Sequence, residues 1–249
     1  MIIDNPTNIE PLRRLWKQAF GDTDTFLDSF FTFGFSPNRC RQITVDGNVA
    51  AALYWFDCSF SGQKIAYLYA VATDRAYRGR GLCRMLMADT HRYLRSLGYA
   101  GALLVPVSND LFQLYEKLGY QTCSSVNEFT CKASGTVPLR LITAEEYDAL
   151  RKEYLPAGSV EPEGAMLTFL REQYFFYAGK DFILCATSEG DTLIVAELLG
   201  DPSAATGIVS VMGKQHGRFR TPGNGKPFAM YHPLICSPDK PSYFALALD

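Results

Sequence analysis

No apolar run in the 249 residues approaches the roughly 20 needed to cross a bilayer; the longest, such as residues 49–56, hold about eight. A membrane span is therefore not expected. A basic start followed by an apolar stretch is also missing, since Asp4, Asn5 and Pro6 precede the first basic residue, Arg13, so no secretory signal is read. The seven cysteines (40, 58, 83, 123, 131, 185 and 236) are odd in number and form no Cys-x-x-Cys pair. That argues against a disulfide framework or a zinc knuckle and for reduced thiols in a cytoplasmic protein. Histidine is scarce, and His91, His216 and His232 share no ligand spacing, so no metal is assigned. Charge of one sign is not in excess either: 24 basic against 26 acidic residues leave −2, too little to draw the chain to nucleic acid or an anionic membrane. With 47% apolar and 20% charged residues, the chain reads as a folded globular protein of one large domain or two small ones.

The distribution of charge says more than its sum. Residues 1–132 carry 14 Lys/Arg and 12 Asp/Glu, whereas residues 133–249 carry 10 and 14. Arg75, Arg78, Arg80, Arg84, Arg92 and Arg95 crowd one stretch against only Asp74 and Asp89, which marks the place to look for an anionic ligand. Ile9, Leu12, Trp16 and Phe20 recur at helical spacing and stop at Gly21, and Phe26, Leu27, Phe30 and Phe31 repeat the pattern. Asp22, Asp24 and Asp28 read as helix caps, since Leu27 and Phe33 stand where a calcium loop needs Gly and Glu. The period then changes: 42–45, 49–58 and 65–72 read as antiparallel strands separated by turns at Asp46-Gly47-Asn48 and Ser61-Gly62-Gln63. A glycine-rich polar loop at 73–81 leads into a helix closed by Gly98, then a strand at 102–105, a helix at 110–118 and a strand pair at 120–124 and 128–132.

The small, polar run at 133–138, broken by Gly135 and Pro138, reads as a linker, dividing the chain into domains 1–132 and 133–249. Beyond it, Thr143 and Glu146 form a capping box, 165–177 reads as a helix, and 182–186 and 192–199 as strands. A short helix at 203–212 follows, Asn224-Gly225 reads as a hairpin turn, and the last strand is expected at 243–248. Hairpin, strand and helix in 49–88 thus reappear in 182–212. The second copy has Gly200-Asp201-Pro202-Ser203 where the first has Arg78-Gly79-Arg80-Gly81, so an anionic ligand is expected in the first copy only.

A strand ending in a glycine turn that opens a helix presents unpaired N–H groups and the positive end of the helix dipole together. Gly79 and Gly81 let the backbone approach a diphosphate closely, and Arg78 and Arg80 add charge-assisted contacts. The order matches neither the Walker pattern nor Gly-x-Gly-x-x-Gly, because Arg84 stands three after Gly81. A tight strand-to-helix turn with solvated arginines accounts for the same residues equally well.

The stretch 69–87 resembles motif A of the GCN5-related N-acetyltransferases, Arg/Gln-x-x-Gly-x-Gly/Ala. Arg78-Gly79-Arg80-Gly81-Leu82-Cys83 follows it except at the last place, where Cys83 replaces a smaller residue. Asn109 followed by Leu114-Tyr115-Glu116-Lys117-Leu118-Gly119-Tyr120 resembles motif B of the same family. The resemblance implies an α+β fold, a mixed and mostly antiparallel sheet flanked by helices, with a second, degenerate unit that shapes the acceptor site. It also implies acetyl-CoA as cosubstrate, its diphosphate on Arg78 to Cys83 and its pantetheine arm along Val71, Ala72 and Thr73, with Asn109 touching that arm. An N–H near Val71 would stabilise the oxyanion, and Tyr115 would protonate the departing thiolate, uphill by roughly 2 kcal/mol from reference pKa values near 10 and 8.5. The competing account of Tyr115 is a core position beside Leu111, Leu114 and Leu118.

Around Arg78 to Arg84 the chain is also similar to the enhanced intracellular survival type of aminoglycoside acetyltransferase, without that group's third domain. No general base is identified: a water chain could serve, or, by that comparison, the terminal carboxylate of Asp249. The expected reaction is direct attack of a primary amine, on a small molecule or a peptide, on acetyl-CoA. The acidic second half favours a cationic acceptor such as a polyamine, an aminoglycoside or a lysine side chain. Two alternatives stay open: a non-catalytic acyl-CoA-binding or regulatory module, and an aminoacyl-tRNA-dependent transferase, which the negative charge balance disfavours. Acyl chain length and oligomeric state have no sequence signal.

Overall fold

The computed structural model of the chain describes residues 1–236 and 239–247. In chain order its strands and helices are β1 (Ile2–Asp4), α1 (Glu10–Phe20), α2 (Asp24–Ser29), β2 (Cys40–Val45), β3 (Asn48–Phe60), β4 (Gln63–Thr73), α3 (Leu82–Ser96), β5 (Gly101–Leu104) and α4 (Asn109–Glu116). There follow β6 (Gln121–Lys132), β7 (Arg140–Ile142), α5 (Ala144–Tyr154), β8 (Glu161–Pro162), α6 (Ala165–Gln173), β9 (Phe175–Ala178), β10 (Phe182–Glu189), β11 (Thr192–Gly200), α7 (Ala205–Val211), β12 (His216–Pro222) and β13 (Lys226–Pro233). These form two compact units that interleave along the chain. The first is Met1–Gln121 with Glu161–Phe169 and Met230–Lys240; the second is Thr122–Val160 with Leu170–Ala229 and Pro241–Asp249.

The first unit is a sheet in the order β1-β2-β3-β4-β5-β13, antiparallel except where β5 lies parallel to β4. Apolar side chains alternate to both faces, as a sheet covered on two sides requires. Leu53, Trp55, Ala66 and Leu68 join Leu86, Leu94, Leu104 and Tyr120 in one core cluster with α3. Tyr54, Phe56, Tyr67 and Tyr69 face the other way. There Trp16 of α1 and Phe30 pack against them edge-on or tilted, with 4.5 Å between the Trp16 and Phe30 centroids, and Phe169 stacks on Phe56. Both helices on this side have marked ends. Gly21 closes α1 in the left-handed region (φ 78°), and the Thr23 hydroxyl accepts from Phe26 N–H at the start of α2.

The second unit repeats the plan in the order β6-β12-β11-β10-β9-β7, with β11 and β12 parallel. Its core packs Leu184, Leu193, Val195, Leu198 and Phe219 against Ile208 and Val209 of α7. One charged pair is fully buried: Arg151 of α5 donates from Nε and Nη2 to Glu197 of β11 at 2.7 and 2.9 Å, and the hydroxyls of Tyr147 and Tyr243 donate to the same carboxylate. Four donors satisfy that carboxylate, which is the condition under which a buried charge is tolerable.

Four local expectations need correction. The strand pair at 120–124 and 128–132 is one continuous strand, β6, because Asn127 stays in the ladder opposite Thr221 instead of turning. The helix from 165 ends at Gln173, and the aromatic run Phe175-Phe176-Tyr177 pairs with β10 as β9. Asn224-Gly225 is no hairpin, since β12 and β13 are not neighbours in the sheet; the loop crosses over Asn127, whose side chain would lie 2.2 Å from a Cβ at Gly223. Residues 243–247 form no strand, only an isolated bridge between Ser159 and Tyr243; Leu248, the end of that expected strand, lies outside the described residues.

Candidate active site

β4 and β5 pair only from Ile65 to Tyr67 opposite Gly101 to Leu103, while β4 runs on to Thr73. The last six residues of β4 therefore turn one edge away from β5. At this point the chain bulges. Ala70 takes a left-handed backbone (φ 49°), and pairing with β3 shifts between Tyr54↔Tyr69 and Ala52↔Ala72. An alanine at positive φ is locally strained and re-aims the strand. Val71 and Thr73 are half-buried and Ala72 is buried on this stretch, so the expected pantetheine residues line an open strand edge.

The loop after β4 is built by its own polar groups. The Asp74 carboxylate accepts from Ala76 N–H at 2.8 Å, Arg78 Nε donates to the Thr73 carbonyl at 3.1 Å, and Arg80 Nη2 donates to the Ala76 carbonyl at 3.2 Å with its guanidinium over the Tyr77 ring. Both motif arginines thus brace the loop, and their remaining donors are exposed. Gly79 and Gly81 have φ of 74° and 73°, and a Cβ on either would meet nothing within 4 Å. Gly81 is the N-cap of the 15-residue α3, which no side chain caps. By contrast Thr23, Ser108 and Thr143 cap α2, α4 and α5. A long helix whose first turn no side chain caps, with arginines beside it, fits the diphosphate of a coenzyme A thioester.

Leu82 is buried and Cys83 half-buried, and both pack in the same cluster as Tyr115. Burial raises the Cys83 thiol. Tyr115 is 6% exposed on α4, with its ring edge-on to Tyr120 at 5.8 Å and its hydroxyl without a hydrogen bond among the described residues. Burial first, and the neighbouring Cys83 second, push its phenol well above the ordinary value. The structure therefore brings Tyr115 next to the Leu82–Cys83 end of the glycine turn and keeps it protonated. It also makes proton loss costlier than the reference values implied. Asn109 is exposed in the first turn of α4, whose N-cap Ser108 accepts from Leu111 N–H. Asp249 lies outside the described residues.

Sequence reasoning left the histidines aside, yet two of them stand behind Tyr115. His91 Nε2 lies 2.7 Å from the Tyr120 hydroxyl, the His91 and His232 rings stack at 4.4 Å, and His232 Nδ1 donates to the Gly119 carbonyl at 2.9 Å. Burial, then His232 and Arg95, lower the His91 pKa to about 3. No spacing could have revealed this, because β13 brings His232 to residues more than a hundred positions earlier. In the second unit the counterpart turn is closed by its own acid. Asp201 accepts from Ser203 N–H at 2.9 Å and from the Ser203 hydroxyl at 2.7 Å, which puts negative charge where an anion would otherwise bind.

Residues 5–123 match the family model of the acetyltransferase (GNAT) domain. No curated protein is significantly similar to the sequence. Among solved structures, a GCN5-related N-acetyltransferase from Anabaena variabilis is similar over 94% of this chain and 73% of that one, with TM-score 0.71 and 16% identity. One from Kribbella flavida covers 92% and 70% with TM-score 0.69 and 17% identity. Eis1 from Mycobacterium abscessus covers 94% and 74% with TM-score 0.67 and 13% identity. At these identities the likeness is one of fold, and it extends through both units.

Proposed function

We propose that the protein transfers an acetyl group from acetyl-CoA to a primary amine by direct attack, a reading supported by the match of residues 5–123 to the acetyltransferase (GNAT) domain model. The observation that carries this reading is the uncapped N-terminus of α3 beside the open edge of β4. Acetyl-CoA would supply the activated thioester. The turn from Arg78 to Cys83 would hold its diphosphate, and Val71, Ala72, Thr73 and Asn109 its pantetheine arm. Amine attack forms the C–N bond and puts negative charge on the carbonyl oxygen, which a backbone N–H near Val71 would stabilise. Breaking the C–S bond then expels a thiolate, to which Tyr115 would donate its proton, while the proton shed by the attacking nitrogen would pass to water and restore the phenol. The buried phenol is a reservoir that stays loaded at neutral pH. A cationic acceptor suits the acidic balance of residues 133–249.

Calorimetric titration of acetyl-CoA should show saturable binding that Gly81→Asp abolishes. Tyr115→Phe should lower turnover by about 10²- to 10⁴-fold, the range for a lost general acid, with acetyl-CoA affinity unchanged within a few-fold. Unchanged turnover in Tyr115→Phe would remove tyrosine from the mechanism. The deep burial of Tyr115 in an apolar cluster favours a second reading, a non-catalytic acyl-CoA-binding module; binding without turnover on any amine would select it.

A further inference from the structure

With no hydrogen bond on its hydroxyl among the described residues, Tyr115 is oriented by the packing of its ring and by the backbone around it. That backbone is a closed turn. Leu118 and Tyr120 N–H both donate to the Tyr115 carbonyl, at 2.9 and 3.0 Å, and Gly119 between them takes a left-handed φ of 88°. The turn ends α4 and sets the Tyr120 ring edge-on to the Tyr115 ring. Tyr120 is 1% exposed, and its hydroxyl lies 2.7 Å from Nε2 of the buried His91 on α3, the helix that Gly81 opens. His91 lies flat against His232 of β13, with 12° between the rings, and His232 Nδ1 returns to the turn at the Gly119 carbonyl. Three elements of the first unit are thus tied together behind one side chain.

We propose that His91 is a positioning residue for acetyl transfer: through the Tyr120 hydroxyl it fixes the direction in which Tyr115 presents its own. This rests on the reading of Tyr115 as general acid. Core stability does not call for the polar pair, because two apolar groups of the same shape fill such a place about as well. What a satisfied buried hydrogen bond adds is a unique orientation. Burial keeps the Tyr120 phenol protonated and the His91 imidazole uncharged, so the bond joins two neutral groups and brings no charge near the thioester. A proton donor needs that fixed direction, since misplacement by about 1 Å can cost about 10²-fold in rate.

The test is steady-state kinetics of the full-length protein, read as release of the coenzyme A thiol from acetyl-CoA with spermidine as acceptor and with water alone. The paired variant His91→Leu/Tyr120→Phe replaces both partners by apolar groups of similar size, so its melting temperature should match wild type. Its kcat should fall about tenfold or more, while its KM for acetyl-CoA stays within about twofold. Tyr120→Phe alone, which keeps the ring, should show the same split. In a Tyr115→Phe background the paired substitution should lower the residual turnover no further, because the hydroxyl it acts through is gone. Wild-type kcat in either variant, a KM that rises as kcat falls, or losses that add in the Tyr115→Phe background would each overturn the proposal. A Tyr115→Phe variant as fast as wild type, or a wild type that releases no thiol, would instead remove the general acid itself, and the positioning role with it.

Discussion

His91 and Glu197 are both buried ionisable groups, and they place opposite demands on the protein. His91 is 7% exposed and its folded pKa is about 3, below the 6.5 or so of an unfolded histidine. The unfolded chain therefore takes up this proton first. The contribution of His91 to stability is complete above about pH 6.5 and is lost as pH falls towards 3, at up to about 1.4 kcal/mol per pH unit. Urea midpoints measured from pH 7 to pH 4 should fall less steeply in His91→Gln, whose amide can still meet the Tyr120 hydroxyl. An identical slope would mean that the imidazole is not the titrating group. Glu197 is the partner on which Arg151 depends, because Arg151 has no other carboxylate on it among the described residues. Glu197→Gln leaves that guanidinium without a counter-charge and should cost about 3–5 kcal/mol in chemical denaturation. A cost below 1 kcal/mol would show that the two tyrosine hydroxyls carry the site without the charge.

At the scale of elements, what the sequence made legible is what local rules determine. Gly79 and Gly81 announce a turn at positive φ, Thr23 and Thr143 announce helix starts, and the alternation in 49–72 announces a hairpin buried on both faces. The candidate cofactor turn was readable for that reason, since loop, glycines and helix are contiguous. What stayed hidden depends on partners far away in sequence. Asn127 has the composition of a turn residue but lies in the middle of β6, under a loop almost a hundred residues later. The stack of His91 on His232 depends on β13 pairing with β5, and no period or motif encodes that pairing. Gly101 makes the same point in steric terms: a Cβ there would stand 2.1 Å from the Tyr231 hydroxyl. Gly101→Ala should force β13 away from β5 and lower the melting temperature by several degrees, the effect of 1–2 kcal/mol in a domain of this size. A melting temperature equal to wild type would show that Tyr231 can move aside freely.

At the scale of the whole molecule, the first unit is not one stretch of chain. Met230 to Pro233 form the strand beyond β5, β8 extends the sheet at Cys58 and Ser59, and Phe169 completes the aromatic cluster around Phe30 and Phe56. A fragment ending at residue 132 lacks all three, exposing β5 as an apolar edge. Such a fragment should be poorly soluble, with broad amide NMR dispersion lost. A well-dispersed spectrum would show that the three additions are dispensable.

The same interleaving bears on how the protein is made. A ribosome that has finished Gln121 must still add about a hundred residues before Met230 emerges to pair with β5, which takes about 5–20 s at typical elongation rates. For that interval the nascent first unit waits with its last strand unmade. The unit synthesised first is thus among the last to be finished, and chaperone demand should fall on the growing chain more than on the released one.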